Sequence, residues 1–305
     1  MNFELTPDQD ALVSAIDKLA QQFQLKPTEF HSFALAGHEL ERELEDGQYF
    51  DIAGIPELGP LAAAMAVERL ARLPYTAETA LSMLVRPQLR GEWPRPMALV
   101  EHGRPGRFVP AARTILVIEG ESMGIAQPTA GEVEPVESLF AYPMGTLRAG
   151  VKLTQLPTES AANVRKWLRV ALAAEASGLL HAAIAATVEH LTLRKQFGRP
   201  LGTFQALRHR MAECTVLAGG VRWLALKAAA TADEGDAALA AMHAQTSATR
   251  VVYDVHQMLA AMGMTLEHPL HLWTYRLKAL LSELGGRGGQ AQAVAQYCFE
   301  DSQHD

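Results

Sequence analysis

A chain of 305 residues with 49% hydrophobic and 20% charged side chains has core enough for two or three folded domains, and this composition excludes a disordered or low-complexity protein. The formal net charge of -7 excludes a general nucleic-acid binder. Two cysteines, Cys214 and Cys298, make neither a disulfide framework nor a zinc-ligand spacing, which fits a reducing cytoplasm.

In chain order, the first segment, Met1 to Thr6, has neither a basic nor an apolar signal region. Thr6-Pro7-Asp8-Gln9 then reads as a helix start, with Thr6 as cap, Pro7 in the first turn and Gln9 at the capping-box position. Leu12, Val13, Ile16, Leu19 and Phe23 follow at helical spacing. A second helical run is expected over Thr28 to Leu44, a third from Leu58-Gly59-Pro60 through Leu73, and a fourth from Thr79 to Leu84. From Trp93-Pro94 the pattern changes to short β-favouring runs, Met97 to Val100, Thr114 to Ile118, Ser122 to Ala126 and Thr146 to Leu153. After Pro157 it is helical again: Asn163 to Leu193, Thr203 to Ala230, Ala237 to Met262 and Leu270 to Leu284. Gly285 to Gly289 then breaks the chain before a last helix from Gln290 to Phe299. Long helices with short connections predict a four-helix bundle. The expected architecture is an α fold with a small β insert: a helical domain over 1–93, a short β domain over 94–156 and a helical bundle over 157–305. No uninterrupted apolar run reaches the length of a membrane span, so the Ala-rich helices are read as packing surfaces and no membrane partner is expected.

One stretch between two of these helices carries chemistry. Arg194, Lys195, Arg199, Arg208 and Arg210 cluster around a Gly/Pro turn, and no Asp or Glu occurs from Leu191 to Ala212. Arginine forks grip phosphate oxygens, and a helix N-terminus adds free N–H groups, so the island suits an anion such as a pyrophosphate. A solvated basic turn is the competing reading. The histidines at 181, 190, 209, 256, 268 and 271 show no HxxxH pair and no carboxylate at ligand spacing, so no metal site is expected.

Three motifs carry a resemblance to a known family. They are Asn2-Phe3-Glu4-Leu5-Thr6-Pro7-Asp8-Gln9; Arg194-Lys195-Gln196-Phe197-Gly198-Arg199-Pro200-Leu201 followed by Phe204-Gln205; and His256-Gln257-Met258-Leu259-Ala260-Ala261-Met262-Gly263 followed by Glu267-His268-Pro269. With the order helices, β, bundle, the chain resembles the acyl-CoA dehydrogenase family. The resemblance implies oxidation of an acyl-CoA to a trans-2-enoyl-CoA with FAD as hydride acceptor and electron-transfer flavoprotein as electron acceptor. It also implies FAD at a subunit interface, with Arg194, Phe197, Gln205 and Gln257 reaching the ADP half of a neighbour's flavin.

The base that must take the α-proton departs from the family pattern. The two places where the family keeps it fall here on Leu168, beside Arg169, and on Leu284 or Gly285. Glu283 is one or two residues off and is the candidate base, with Arg169 as an auxiliary group. A Trp-Ile/Val-Thr loop is missing between Met97 and Leu156, and Ala260-Ala261 stand where two glycines are usual. This is similar to α2β2 heterotetramers of the steroid-degradation type, in which one chain supplies the base and the other completes the FAD site. Three readings stay open: a base-deficient partner in such a heteromer, a homo-oligomeric enzyme using Glu283, and a non-catalytic scaffold of the same fold.

Overall fold

The computed structural model describes residues 4–23 and 31–297. The start of the second expected helical run at Thr28, the Asn2-Phe3 opening, Cys298 and the end of the last helix at Phe299 lie outside them. Helix α1 (Pro7–Gln22) starts as its sequence dictates: Thr6 Oγ1 accepts from the Gln9 N–H at 3.3 Å and the Thr6 N–H donates to Gln9 Oε1 at 3.2 Å. Its inward face buries Val13 and Ile16. A two-residue strand β1 (Leu35–Ala36) runs parallel to β2 (Tyr75–Thr76), with α2 (His38–Asp46) and α3 (Gly59–Ala71) between them in sequence.

The fourth expected helix is shorter than its sequence pattern. It is one π turn over Leu81–Val85, followed by a 3-10 turn at Arg86–Gln88, because Pro87 removes the next donor. The fully buried Glu78 carboxylate holds this turn, accepting from the N–H groups of Leu81, Ser82 and Met97 at 3.1, 3.0 and 3.1 Å. It thereby ties the N-terminal helices to the first strand of the β segment.

That segment contains β3 (Met97–Glu101), β4 (Gly106–Arg107), β5 (Thr114–Glu119), β6 (Ser122–Ala126), β7 (Val133–Val136), β8 (Met144–Leu147) and β9 (Thr154–Gln155). They form a four-stranded sheet in the order β3-β5-β6-β9 and a three-stranded sheet in the order β4-β8-β7. In β3 and β5, Met97, Leu99, Leu116 and Ile118 face the helical core. The alternate residues Ala98, Val100, Ile115 and Val117 face a second core under the smaller sheet. Both faces are covered, which is why these strands read as continuous apolar runs. Of the run expected from Thr146 to Leu153, only Thr146 and Leu147 are strand, as the end of β8; the rest is a connection containing Gly150 at φ +85°, and β9 follows it.

Helix α4 (Thr158–Leu193) is about 54 Å long at 1.5 Å per residue. It is long and apolar enough to cross a membrane by length and composition, but 89% of its apolar window is buried against the other elements. Gly178 marks its crossing with α3: a Cβ there would lie 2.1 Å from the Glu68 carbonyl oxygen. A hairpin of β10 (Lys195–Gln196) and β11 (Arg199–Pro200) leads to α5 (Gln205–Thr231), then α6 (Glu234–Leu259) and α7 (His271–Leu280). The expected break at Gly285 to Gly289 lies earlier and is shorter: Leu284, Gly285 and Gly286 take positive φ, and α8 (Gly286–Ala295) then continues through the remaining glycines. Tertiary contacts override the poor helix propensity of glycine here. Gln290, fully buried, accepts from Arg169 Nε at 2.9 Å and donates to the Leu284 carbonyl at 2.5 Å. The bundle is therefore three long helices, with α7 and α8 sharing the fourth position.

Candidate functional site

The basic stretch forms an exposed corner at the end of α4. Phe197 (φ +54°) and Gly198 (φ +78°) both take left-handed backbone, the pattern of a two-residue hairpin turn whose twist matches the flanking strands. Only the glycine does so without steric cost, so Phe197 is held there by the hairpin. The turn thrusts its ring outward: Phe197 is 85% exposed and meets Phe204 edge-on at 6.0 Å between ring centroids. Arg199 lies over the Phe204 ring at 4.1 Å. Helix α5 starts at Gln205 with no side-chain cap and no acid in its first turn. Arg194, Phe197 and Gln205 thus share one corner, all exposed, and among the described residues no side-chain hydrogen bond or ion pair is recorded for Arg194 or Gln205.

Beside this corner a cleft of about 840 Å³ is lined by Arg72, His181, His190, Arg194, His268 and Trp273, among others. The His190 and His268 rings meet edge-on at 5.4 Å. Burial pushes His268 down to about 4, and burial with the nearby Arg194 charge lowers His190, so both imidazoles are neutral at pH 7. The Leu270 N–H donating to His268 Nδ1 at 3.2 Å agrees with that state. Gln257 is also exposed but lines a different groove, of about 550 Å³, with Tyr253, His256, Met264 and Tyr275. Ala260, at the rim of that groove, has φ +51° and ψ -129°, a conformation suited to glycine.

The turn expected to hold a base follows α7 and lines a third, much smaller cavity. Helix α7 ends at Leu280, and Leu284 takes left-handed backbone (φ +56°, ψ +38°) in the 3-10 turn Glu283–Gly285. Glu283 is held by Arg107: Nε donates to Oε1 at 2.6 Å and Nη2 to Oε2 at 3.1 Å. The same guanidinium donates through Nη1 to both oxygens of Glu175, at 3.1 and 3.0 Å. The Tyr142 hydroxyl donates to Glu175 Oε1 at 2.6 Å, and Arg107 lies over the Tyr142 ring at 4.7 Å. Burial, then the Glu175 charge, raises the Tyr142 hydroxyl well above its usual range; the two carboxylates raise Arg107 against a burial that lowers it.

Glu101 completes the turn, accepting from the Leu284 N–H at 2.8 Å. Burial raises its carboxyl to about 7, opposed by that N–H and reinforced by Glu283. Arg169 is buried away from this cluster and reaches the turn only through Gln290; burial lowers its pKa. Arg107, Glu175, Tyr142 and Glu101 were not among the candidate residues. Glu175 had a signal, a lone carboxylate inside the apolar run from Leu172 to Leu180.

The model of the acyl-CoA dehydrogenase C-terminal domain matches residues 159–298. Acyl-CoA dehydrogenase IpdE2 of Mycobacterium tuberculosis (strain ATCC 25618 / H37Rv) is 29% identical over 167 residues, 52% of this chain and 52% of that protein. The matched stretch therefore spans about half of that relative. Among solved structures, a chain of the ChsE4-ChsE5 complex from Mycobacterium tuberculosis superposes with a TM-score of 0.79 at 19% identity, covering 98% of this chain and 99% of that one. A chain of the Tcur3481-Tcur3483 steroid ACAD superposes at 0.76 with 20% identity, covering 97% and 99%. At such identities the superpositions speak for the fold: N-terminal helices, central β sheets and a C-terminal helical domain. Residues 159–298 thus match the acyl-CoA dehydrogenase C-terminal domain, and the chain as a whole has the acyl-CoA dehydrogenase fold.

Proposed function

We propose that this chain is a member of the acyl-CoA dehydrogenase family and one subunit of a heteromeric, FAD-dependent enzyme that oxidises an acyl-CoA to its trans-2-enoyl-CoA. A sister chain supplies the catalytic base, and the corner of Arg194, Phe197 and Gln205, with Gln257, completes the sister's FAD site. Flavin, when bound, supplies the hydride acceptor. The observation that carries this reading is the exposure of all four residues with no side-chain polar partner of their own among the described residues. At the corner, an arginine, an uncapped helix N-terminus and the Gln205 amide form a donor set that fits the diphosphate and polar edges of an ADP group, with Gln257 offering a second amide from a separate groove. A protruding aromatic ring on a strained turn is costly in an isolated chain and useful against a planar heterocycle.

The turn after α7 supports the same division of labour. Glu283, the candidate base, is paired with Arg107 rather than facing open space, and Glu101 beside it accepts from the Leu284 N–H, so both carboxylates at the turn are already engaged. The similar ChsE4-ChsE5 structure is a complex, which supports a two-chain assembly, and the similar Tcur3481-Tcur3483 structure is a steroid ACAD, which supports a bulky acyl group. Electron-transfer flavoprotein is the acceptor that the family resemblance implies. The test is FAD retained per complex when the chain is co-purified with its sister. Arg194→Ala is expected to weaken flavin binding about tenfold or more, the scale of one charge-assisted contact. Unchanged flavin content in a correctly assembled complex defeats the reading.

A further inference from the structure

We propose that this chain binds no acyl-CoA in its own cleft, because the Arg107 guanidinium, clasping Glu175 and Glu283 at once, plugs the space where the thioester would lie. The inference takes from the proposed function only the family's placing of that cleft, and stands or falls separately from the Arg194 clamp. The two base positions of the family correspond here to Leu168 and to the turn at Leu284 and Gly285. The structure brings Leu168 and Leu284 to the wall of one cavity, with Arg107, Glu175 and Glu283 beside them. That cavity holds about 20 Å³, room for one water molecule. Clefts that bury a small organic ligand run to about 300 Å³ or more.

The plug is built in by the fold. Gly106 lets β4 approach β3 so closely that a Cβ there would lie 2.0 Å from the Leu99 carbonyl oxygen. This fixes the next residue, Arg107, inward, where it is 9% exposed. Four guanidinium–carboxylate hydrogen bonds of 2.6 to 3.1 Å then link β4 to α4 and to the turn after α7. Tyr142 holds Glu175 in this pairing through its hydroxyl, and Arg276, buried, stands 3.5 Å from that hydroxyl while donating to the Leu73 carbonyl at 2.9 Å. A substrate entering here must separate Arg107 from both carboxylates and leave a buried charge without its counterion, an expensive state. The site is therefore closed by charge pairing as well as by volume.

The experiment titrates butyryl-CoA into the purified full-length chain by calorimetry and follows amide exchange over residues 99–108 and 281–285. No saturable binding and no added protection are expected for the wild type. Arg107→Ala with Glu175→Ala removes one charge of each sign and opens the cavity; it is expected to bind butyryl-CoA saturably at concentrations at which the wild type shows none. Saturable wild-type binding with protection of the Leu284 amide overturns the proposal, and so does a folded double variant that binds no better than the wild type. If the double variant fails to fold, the wild-type exchange experiment alone decides. Flavin content enters none of these readouts, so failure of the plug and failure of the Arg194 clamp are told apart.

Discussion

Replacing Glu101 by Gln removes an ionisable group while keeping an oxygen that can accept from the Leu284 N–H, now 2.8 Å away. In the folded chain the Glu101 carboxyl is raised from 4.5 to about 7 by burial, with Glu283 adding to it. A carboxyl whose folded pKa exceeds its unfolded value binds its proton more tightly when folded. The stability it contributes is fully present below about 4.5 and is lost as pH rises through about 7. The full loss is about 3 kcal/mol, and the part falling between pH 5.5 and 8.5 is about 2 kcal/mol. Denaturant unfolding of wild type and Glu101→Gln at these two pH values isolates the term, since every other titrating group is common to both. The variant is expected to gain about 2 kcal/mol on the wild type at the higher pH relative to the lower one. A wild-type-to-variant difference that is the same at both pH values refutes the reasoning.

Two further substitutions test the backbone geometry. Gly178→Ala drives a Cβ to 2.1 Å from the Glu68 carbonyl oxygen where α3 crosses α4, and should cost about 3 kcal/mol in denaturant unfolding; a loss below about 0.5 kcal/mol contradicts so tight a crossing. Ala260→Gly relieves a non-glycine residue at φ +51° and ψ -129° and should raise stability by about 1 kcal/mol, read as a higher denaturant midpoint at unchanged slope; a destabilised variant contradicts that loop conformation.

What was legible in the sequence was local. The Thr6-to-Gln9 capping box, Gly59-Pro60 at the head of α3 and the apolar runs of β3, β5 and β6 act over a few residues, and the elements formed where those signals stood. The corner of Arg194, Phe197 and Gln205 was legible for the same reason, being contiguous in the chain. Strands β4 and β7 were not: β4 has two residues, and β7, Val-Glu-Pro-Val, is half-exposed with a proline in it. The last helix was read, but its start was placed at Gln290 rather than Gly286, because the contacts of Gln290, not local propensity, hold its glycines in place. The plug was least legible of all, since Arg107, Glu175 and Glu283 lie 68 and 176 residues apart in pairs. No periodicity or motif links them; only the close approach of β4 to β3 aims the arginine.

The visible absorption spectrum of the purified full-length chain, taken alone and after mixing with its sister chain and FAD, tests the division of labour most directly. A chain that is colourless alone, and part of a yellow complex that acyl-CoA bleaches only when both chains are present, is the predicted result. A chain that is yellow by itself and is bleached by acyl-CoA without a partner contradicts it.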